Sequence, residues 1–447
     1  MSDLSAMDIY QELPQTDCGD CNFPTCMAFA MQLASKQVSL DQCPHVSPEA
    51  EETLAASSAP PMRIVNIGDG NDDVEIGGET VQYRHEEKFY RPTAVSIEID
   101  DSLEEPELKE KVNRVNDLQF ERVGEKISLD LLTLKNNELD PERYGKLVEM
   151  VDDESQFPLY LLSRNPEAIK EGLTRLSNGN PLVGNATEDN WKEMANLAEE
   201  YETPLAVSEY DLSGLAELTD RISDQGAEEL VLNPRADSIS KYIEKLTKLR
   251  RLAVVEEFSP LGYPVLARVN SSTPFQQVAD GTSYILKYAS ILSLDTTNSW
   301  QIFPLLTVRQ HIYIDPQVQN SVETKLYEVG DPGPDSPVLF TTNFQLTYYS
   351  LEGEVEDSGF SAYISVMDTD GLGVLNAYAD DQLTGEEIVE TVEEQGAMNK
   401  VDHNKLIIPG LVGMLRMTVQ EEGGWDVIVG PEDAASLPRF LRQEWEA

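Results

Sequence analysis

The chain has 447 residues, of which 40% are hydrophobic, and 81 acidic residues against 33 basic ones give it a net charge of −48. This length allows about three domains. The charge excludes a nucleic-acid partner, because no basic face could release counterions. No stretch approaches the ~20 apolar residues that span a bilayer, and the N-terminus carries no basic-then-apolar leader, so we expect a cytoplasmic protein.

The acidic residues occur in every region of the chain. Such like charge opposes compaction at low ionic strength, and concentrated salt screens it within a few ångströms. The composition therefore predicts a halophilic source, with an ordinary acidic protein as the alternative.

The four cysteines, Cys18, Cys21, Cys26 and Cys43, all lie within the first 43 residues. Zinc sites are usually built from two close pairs. Staggered spacing that ends in a Cys-Pro step, here Cys43-Pro44, is typical of iron–sulfur ligation. The spacing predicts a [4Fe–4S] cluster domain over residues 1–57; a zinc knuckle is the first alternative and a disulfide pair the second.

Residues 58–91 read as a linker followed by a hairpin. Alanine, serine and proline at 55–61 predict an extended linker. Glycines at 68, 70, 77 and 78 bracket two short β-like runs, which suit a hairpin.

Residues 92–325 alternate short apolar strands with amphipathic helices. The predicted strands are 94–99, 127–132, 158–163, 181–183, 204–207 and 230–232, with further apolar runs near 265 and at 285–294. Asn165 reads as a helix N-cap before proline. The count favours a TIM (β/α)8 barrel, and a doubly wound open sheet is the alternative.

Residues 326–447 form a third segment with an α/β pattern. Predicted strands at 361–367, 405–408 and 426–429 each run into a glycine-bearing turn, and helices are predicted at 385–396, 411–421 and from 432 onward. Thr384 and Glu387 form a capping box. In an open α/β sheet the carboxyl ends of the strands gather on one edge, where ligands bind. Glycine there would let backbone N–H groups approach a large ligand.

The chain as a whole resembles the large subunit of the corrinoid iron–sulfur protein, which in archaea is the gamma subunit of the acetyl-CoA decarbonylase/synthase complex. The resemblance is carried by residues 17–30, 83–86, 186–191, 304–310, 341–347 and 406–410. It implies a Rossmann-like corrinoid domain at the C-terminus, after the cluster domain and the barrel.

The same resemblance implies a methyltransferase subunit. Its Co(I) takes a methyl group from a methyl-tetrahydropterin, becomes methyl-Co(III), and delivers the group to the nickel–iron cluster of acetyl-CoA synthase; the [4Fe–4S] cluster returns oxidised cobalt to Co(I). The implied partners are a small, delta-type corrinoid subunit, with which the chain forms a heterodimer, and the acetyl-CoA synthase subunit.

The resemblance also implies the residues of the corrinoid edge. They are Thr341, Thr342 and Thr347 at the domain entry; Thr369, Asp370, Gly371, Leu372, Gly373 and Val374 after one strand; Gly410 after the next; and Gly430 with Pro431 after the last. For Thr341 and Thr347, simple strand capping remains the alternative.

Cobalt ligation can be judged from the histidines. Many B12 proteins use a D-x-H-x-x-G string, but here His403 directly follows Asp402 and the string is absent. A strong lower axial donor would stabilise the higher oxidation states of cobalt. The sequence therefore predicts a base-off corrinoid, and His403 reads as a polar loop residue before a strand.

Two other functions stay open at this stage. One is a ferredoxin-like electron carrier without corrinoid. The other is an independent barrel enzyme, whose strand ends offer Arg164, Asn185, Asn233 and Arg235 to an anionic substrate. No metal-ligand set or nucleophile–base pair accompanies them.

Overall fold

A computed structural model describes residues 6–21, 23–34, 38, 40–47, 50, 61–69, 73–138, 140–176 and 179–445. The predicted linker at 55–61 lies outside the described residues except for Pro61. The chain divides into two compact units, residues 1–120 with 127–314 and residues 121–126 with 315–447. None of the helices described is long and apolar enough to cross a membrane.

The first unit contains twelve strands and ten helices within its described residues and the short hairpin at 119–128. The strands are β1 (Ile64–Ile67), β2 (Val74–Gly77), β3 (Ala94–Asp100), β4 (Gln119–Arg122), β5 (Glu125–Ser128), β6 (Leu131–Lys135), β7 (Leu159–Leu162), β8 (Leu182–Ala186), β9 (Leu205–Glu209), β10 (Leu230–Pro234), β11 (Leu266–Arg268) and β12 (Ile291–Leu294). The helices are α1 (Ala6–Glu12), α2 (Cys26–Ala34), α3 (Glu105–Asn116), α4 (Pro141–Glu154), α5 (Pro166–Arg175), α6 (Trp191–Glu200), α7 (Leu212–Asp224), α8 (Ile239–Val254), α9 (Pro274–Leu286) and α10 (Ser299–Ile312).

Eight of these strands form one parallel sheet in the order β10-β9-β8-β7-β6-β3-β12-β11. Leu232 of β10 bridges Val265, just before β11, which brings the two ends of the sheet together. Each strand is followed by one helix, from α3 after β3 to α10 after β12. The predicted TIM barrel is confirmed, and the open-sheet alternative is wrong for this unit.

Local sequence signals explain several of the boundaries. The Asn165 side chain accepts a hydrogen bond from the Glu167 backbone N–H and begins α5, as predicted. The hairpin is also confirmed, because β1 and β2 pair antiparallel with Ile64 opposite Gly77. Buried leucine, valine and isoleucine from the strands and the inner faces of the helices make the barrel core.

Two apolar runs in the barrel segment, one of them predicted as a strand, are divided in the structure. The run 127–132 is divided between β5 and β6, because Asp130 interrupts it and accepts a hydrogen bond from the Val95 backbone N–H at 2.8 Å. The run 285–294 is also divided: Ile285 belongs to α9 and the strand begins at Ile291.

The second unit has a five-stranded sheet in the order β13-β15-β14-β16-β17. These strands are β13 (Leu326–Val329), β14 (Val338–Thr342), β15 (Ala362–Met367), β16 (Lys405–Ile408) and β17 (Asp426–Val429). Only β13, at the edge, is antiparallel. The helices are α11 (Gln345–Ser358), α12 (Val374–Ala379), α13 (Gly385–Glu394), α14 (Arg416–Gly423) and α15 (Leu437–Glu444). Apolar clusters cover both faces of the sheet.

Strand order gives this sheet a reversal point. The chain passes from β14 to β15 on one side and then crosses to β16 on the other. In open α/β sheets the crevice outside such a reversal, at the carboxyl ends of the strands, is where ligands bind. The carboxyl ends of β14 and β16 are therefore the place to look for a site.

Of three helix predictions in this unit, one is confirmed, and the other two are wrong about where the α-helix begins. The Thr384 capping box is confirmed, with both reciprocal hydrogen bonds to Glu387. The helix predicted over 411–421 instead begins with a 3-10 turn at Gly410–Leu415 and continues as α14. The last helix begins at Leu437 rather than at Glu432, after a 3-10 turn that Asp433 caps.

Candidate cofactor sites

The four cysteines lie close together near the N-terminus, three of them in one apolar cluster. Cys21, Cys26 and Cys43 are buried there, Cys18 is exposed, and no cysteine is in a disulfide. Burial raises the pKa of the Cys43 thiol, and so does the negative charge of the other three thiols when they ionise. Four close thiols that repel each other as thiolates are a donor set that a cationic metal centre would stabilise.

The loop before α2 positions the buried thiols. The Asp17 carboxylate accepts a hydrogen bond from the Cys26 backbone N–H at 2.7 Å, at the first residue of the helix. Asp17 and Gly19 both have positive φ, 48° and 80°, so the chain turns tightly just before Cys21. Phe23 and Phe29 pack at 5.7 Å between ring centroids. Aromatic and aliphatic cover of this kind keeps water from sulfur ligands.

A polar group at the rim of this cluster was not predicted. Cys18, Asp20 and His45 place their ligand atoms within 4.8 Å of one another, and His45 Nε2 lies 2.6 Å from Asp20 Oδ2. Hydrogen bonds from His45 and then Cys18 lower the pKa of Asp20. The contact ties the segment after Cys43 to the loop between Cys18 and Cys21. No sequence pattern indicates it, because His45 and Asp20 are 25 positions apart.

In the second unit, the end of β14 carries two unsatisfied hydroxyls. Thr341 and Thr342 are both buried, and neither hydroxyl has a hydrogen-bond partner within the part of the chain that the structure describes. A buried hydroxyl without a partner costs free energy. The cost is removed if a ligand supplies the partner, so Thr341, which lines the cleft at this edge, fits a polar ligand at the reversal point.

The loop from β15 to α12 is organised by Asn343. The Asn343 amide oxygen accepts hydrogen bonds from the Thr369 backbone N–H, the Thr369 hydroxyl and the Gly371 backbone N–H, at 3.0–3.1 Å. Its amide nitrogen donates to Asp368. The Thr369 hydroxyl is thus engaged inside the loop. Asp370 and Gly371 have φ of 51° and 75°, so the loop folds back on itself, with Leu372 and Gly373 leading to Val374 at the start of α12.

The turns after β16 and β17 are in contact. A Cβ added to Gly410 would lie 2.6 Å from the Gly430 carbonyl oxygen and 2.8 Å from the Glu432 nitrogen. The Gly410 N–H donates to the Pro431 carbonyl, and the Gly430 N–H donates to that of Ile408. Glycine at 410 therefore lets two backbone segments approach each other, and its N–H is already used within the protein.

A cleft of about 100 Å³ lies at this edge. Of the residues named from the sequence, Thr341, Thr347, Val374, Gly430 and Pro431 line it. Its apolar lining, which the sequence did not predict, includes Leu351, Pro409, Leu411 and Leu437. Thr347 lies in the first turn of α11 rather than at the end of a strand.

His403 lies at the opposite end of the sheet, just before β16. Its Nδ1 accepts a hydrogen bond from the Lys405 N–H at 3.1 Å, and its Nε2 donates to the Ser336 carbonyl at 2.9 Å. Both ring nitrogens are engaged, as expected for a polar loop residue. His403 is also the only histidine in residues 315–447 of the sequence.

Two family models match the chain. One, described as CO dehydrogenase/acetyl-CoA synthase delta subunit, matches residues 64–441. The other, described as an Fe-S cluster, matches residues 13–45, which include all four cysteines.

The corrinoid/iron-sulfur protein large subunit of Moorella thermoacetica is 42% identical over 98% of this chain and 98% of its own length. The chain belongs to this family. The acetyl-CoA decarbonylase/synthase complex gamma subunits of Methanothermobacter thermautotrophicus and Methanopyrus kandleri, at 36% and 35% identity, also match over 98% or more of each chain.

Among solved structures, a dihydropteroate synthase from Thermus thermophilus covers 50% of this chain and 95% of its own, at 18% identity and a TM-score of 0.37. That likeness is too weak to bear on function.

Proposed function

We propose that this protein is the corrinoid methyl carrier of an acetyl-CoA synthase/decarbonylase system and so a methyltransferase subunit. The observation that carries the proposal is the 42% identity, end to end, with a corrinoid/iron–sulfur protein large subunit. The two candidate sites support it, because one offers thiol ligands and the other offers unsatisfied hydroxyls at a ligand-binding edge. An electron carrier without corrinoid would leave the second site unexplained.

Cys18, Cys21, Cys26 and Cys43 would hold a [4Fe–4S] cluster. Three buried thiols supply ligands shielded from water, and exposed Cys18 leaves one corner near the surface, where electrons can enter or leave. A cluster in such a setting supplies one-electron chemistry, whose potential depends on apolar cover and on hydrogen bonds to sulfur.

The corrinoid would lie at the carboxyl edge of the second unit's sheet. Thr341 and Thr342 would donate to or accept from polar groups on the ring. Asn343 would act through the loop it organises, and the 410–431 contact would form one wall. Bound there, a corrinoid supplies cobalt that accepts and donates a methyl group. With both nitrogens of His403 engaged at the far end of the sheet, residues 315–447 offer no free imidazole to the cobalt, which supports a base-off form.

We further propose the division 1–57, 58–91, 92–325 and 326–447 as cluster domain, linker with hairpin, barrel and corrinoid domain. The partners would be a small corrinoid subunit, the acetyl-CoA synthase subunit and a methyl-tetrahydropterin donor. One carrier must meet a reductant, a donor and an acceptor in turn.

A methylation assay tests the carrier function. Corrinoid-loaded protein is reduced, treated with radiolabelled methyl iodide and separated from free label by gel filtration. We expect label to co-elute with the chain only after reduction and only when corrinoid was loaded. Equal labelling of corrinoid-free protein would contradict the proposal, because it would show methylation of side chains.

A further inference from the structure

The barrel has a cavity of about 400 Å³ at the carboxyl ends of its strands, apart from both cofactor sites. It lies where β8, β9, β10 and β11 end. Small-molecule sites in TIM barrels occupy this face, and the volume is within the usual range for a small organic ligand. Its lining includes Arg164, Arg235, Arg268, Asn185, Asn233 and Tyr210.

Two of these arginines lack a carboxylate partner. Arg164, after β7, and Arg235, after β10, form no ion pair with any residue in the described ranges; the Arg235 guanidinium lies over the Tyr210 ring, 4.2 Å from its centroid. Across the whole chain 81 acids face 33 bases. Two arginines without an acidic partner at one cavity therefore favour an anionic ligand.

The remaining charges do not neutralise these two. Arg268 is held by Glu98 through two hydrogen bonds of 2.7 and 2.8 Å. Of the two aspartates in the lining, Asp280 accepts hydrogen bonds from Ser271 and Gln276, and Asp237 is exposed at the rim. The lining thus carries three arginines and two aspartates, whereas in the chain as a whole the acidic residues outnumber the basic ones.

Buried amides form the inner wall of the cavity. Asn185 is 5% exposed, and its amide oxygen accepts hydrogen bonds from the Tyr160 hydroxyl at 2.9 Å and from Asn233 at 3.0 Å. Its amide nitrogen donates to no described residue. Asn185 lines the cavity, so this amide nitrogen can donate to an oxygen of a ligand there.

The rim is held in place before any ligand arrives. Lys245 of α8 donates hydrogen bonds to the carbonyl oxygens of Tyr210 and Arg235, which joins the loops after β9 and β10. The first residue of α8, Ile239, also lines the cavity. A helix N-terminus favours anions.

Because Lys245 already holds the loop that carries Arg235, little conformational entropy would be lost when Arg235 binds a ligand.

We propose that this cavity binds a small organic oxyanion, a carboxylate or a phosphate ester. Arg164 and Arg235 bind its charged group, and the Asn185 amide donates to another oxygen. The proposal is independent of the methyl-carrier function, because none of these residues belongs to either cofactor site.

Isothermal titration calorimetry of the full chain tests this, with inorganic phosphate and succinate as separate probes at fixed potassium chloride. The variants are Arg164→Gln and Arg235→Gln. The matched control is Arg114→Gln, an exposed arginine on α3 that is paired with Glu110. We expect saturable binding of at least one probe, weakened about tenfold or more in each variant and unchanged in the control.

Binding of phosphate alone assigns phosphate esters to the cavity, and binding of succinate alone assigns carboxylates. No saturable binding of either probe would overturn the proposal. So would an affinity in both arginine variants equal to that of the unsubstituted protein, since the anion would then lie elsewhere.

Discussion

The amide oxygen of Asn343 accepts hydrogen bonds from both the backbone N–H and the hydroxyl of Thr369. These hydrogen bonds connect the end of the central strand β14 to the loop after β15. Asn343→Ala leaves the backbone N–H groups of Thr369 and Gly371 without an acceptor, and we expect it to destabilise the second unit by about 1–3 kcal/mol and to weaken corrinoid retention. Urea unfolding and cobalt content after gel filtration measure both. Asn376→Ala, an exposed position on α12, is the control; equal retention in the two variants would argue against a corrinoid role for the loop.

Thr341→Val should separate stability from binding. Valine has nearly the same shape as threonine and removes a buried hydroxyl that has no described partner. We therefore expect the cofactor-free protein to be equally stable or more stable, by up to about 1 kcal/mol, while corrinoid retention falls. Thermal unfolding without cofactor and cobalt retention are the two readouts. A loss of stability without any loss of cobalt would mean that the hydroxyl serves the fold alone.

Gly410→Ala should open the contact between the turns after β16 and β17. The new Cβ would meet backbone atoms within 2.6–2.8 Å, so we expect a destabilisation of about 1–3 kcal/mol. Gly353→Ala in α11 is the control, because its Cβ would meet nothing within 4 Å and alanine favours a helix. Chemical denaturation of both variants checks this; similar stabilities would contradict the close approach.

Cys26→Ser should remove iron and leave cobalt. Cys26 lies in the N-terminal cluster, whereas the proposed corrinoid residues lie in the other unit. We expect lower iron content, loss of reductive activation of the corrinoid, and unchanged cobalt. Thr25→Ser keeps the hydroxyl that accepts the Ala28 N–H and should retain iron. Loss of cobalt together with iron would count against separate sites.

The net charge of −48 predicts that stability depends on salt. Raising potassium chloride from about 0.1 to 2 M shortens the screening length to a few ångströms and weakens the repulsion between carboxylates. We expect Tm to rise by about 5 °C or more, which corresponds to roughly 2 kcal/mol in a domain of 150–250 residues. Sucrose at equal osmolality should raise Tm less. An unchanged Tm in potassium chloride would refute adaptation to high salt.

The barrel and the cysteine set could be predicted because each follows from local patterns. Strands such as 205–209 are short apolar runs between amphipathic helices, and the thiol spacing is read directly from the chain. The strand β14 was missed, although it is the central strand of the second sheet. It is buried on both faces, so it shows no alternation of polar and apolar residues, and it directly follows a proline- and glycine-rich stretch.

Other features of the sites depend on contacts between distant residues. Nothing near Asp20 in the sequence indicates His45, and nothing near Thr341 shows that its hydroxyl lacks a partner. Glycine 410 was expected to expose its N–H to a ligand, but that N–H donates to Pro431. The sequence indicates that Gly410 lies in a turn after a strand, whereas the partner of its N–H depends on how the two turns pack.

The most direct test of the methyl-carrier account is the iron and cobalt content of anaerobically purified protein, reconstituted with both cofactors and separated from the excess. The account predicts about four irons and about one cobalt per chain. Iron without cobalt would contradict the methyl carrier and favour an electron carrier, and zinc in place of iron would contradict the assignment of the four cysteines.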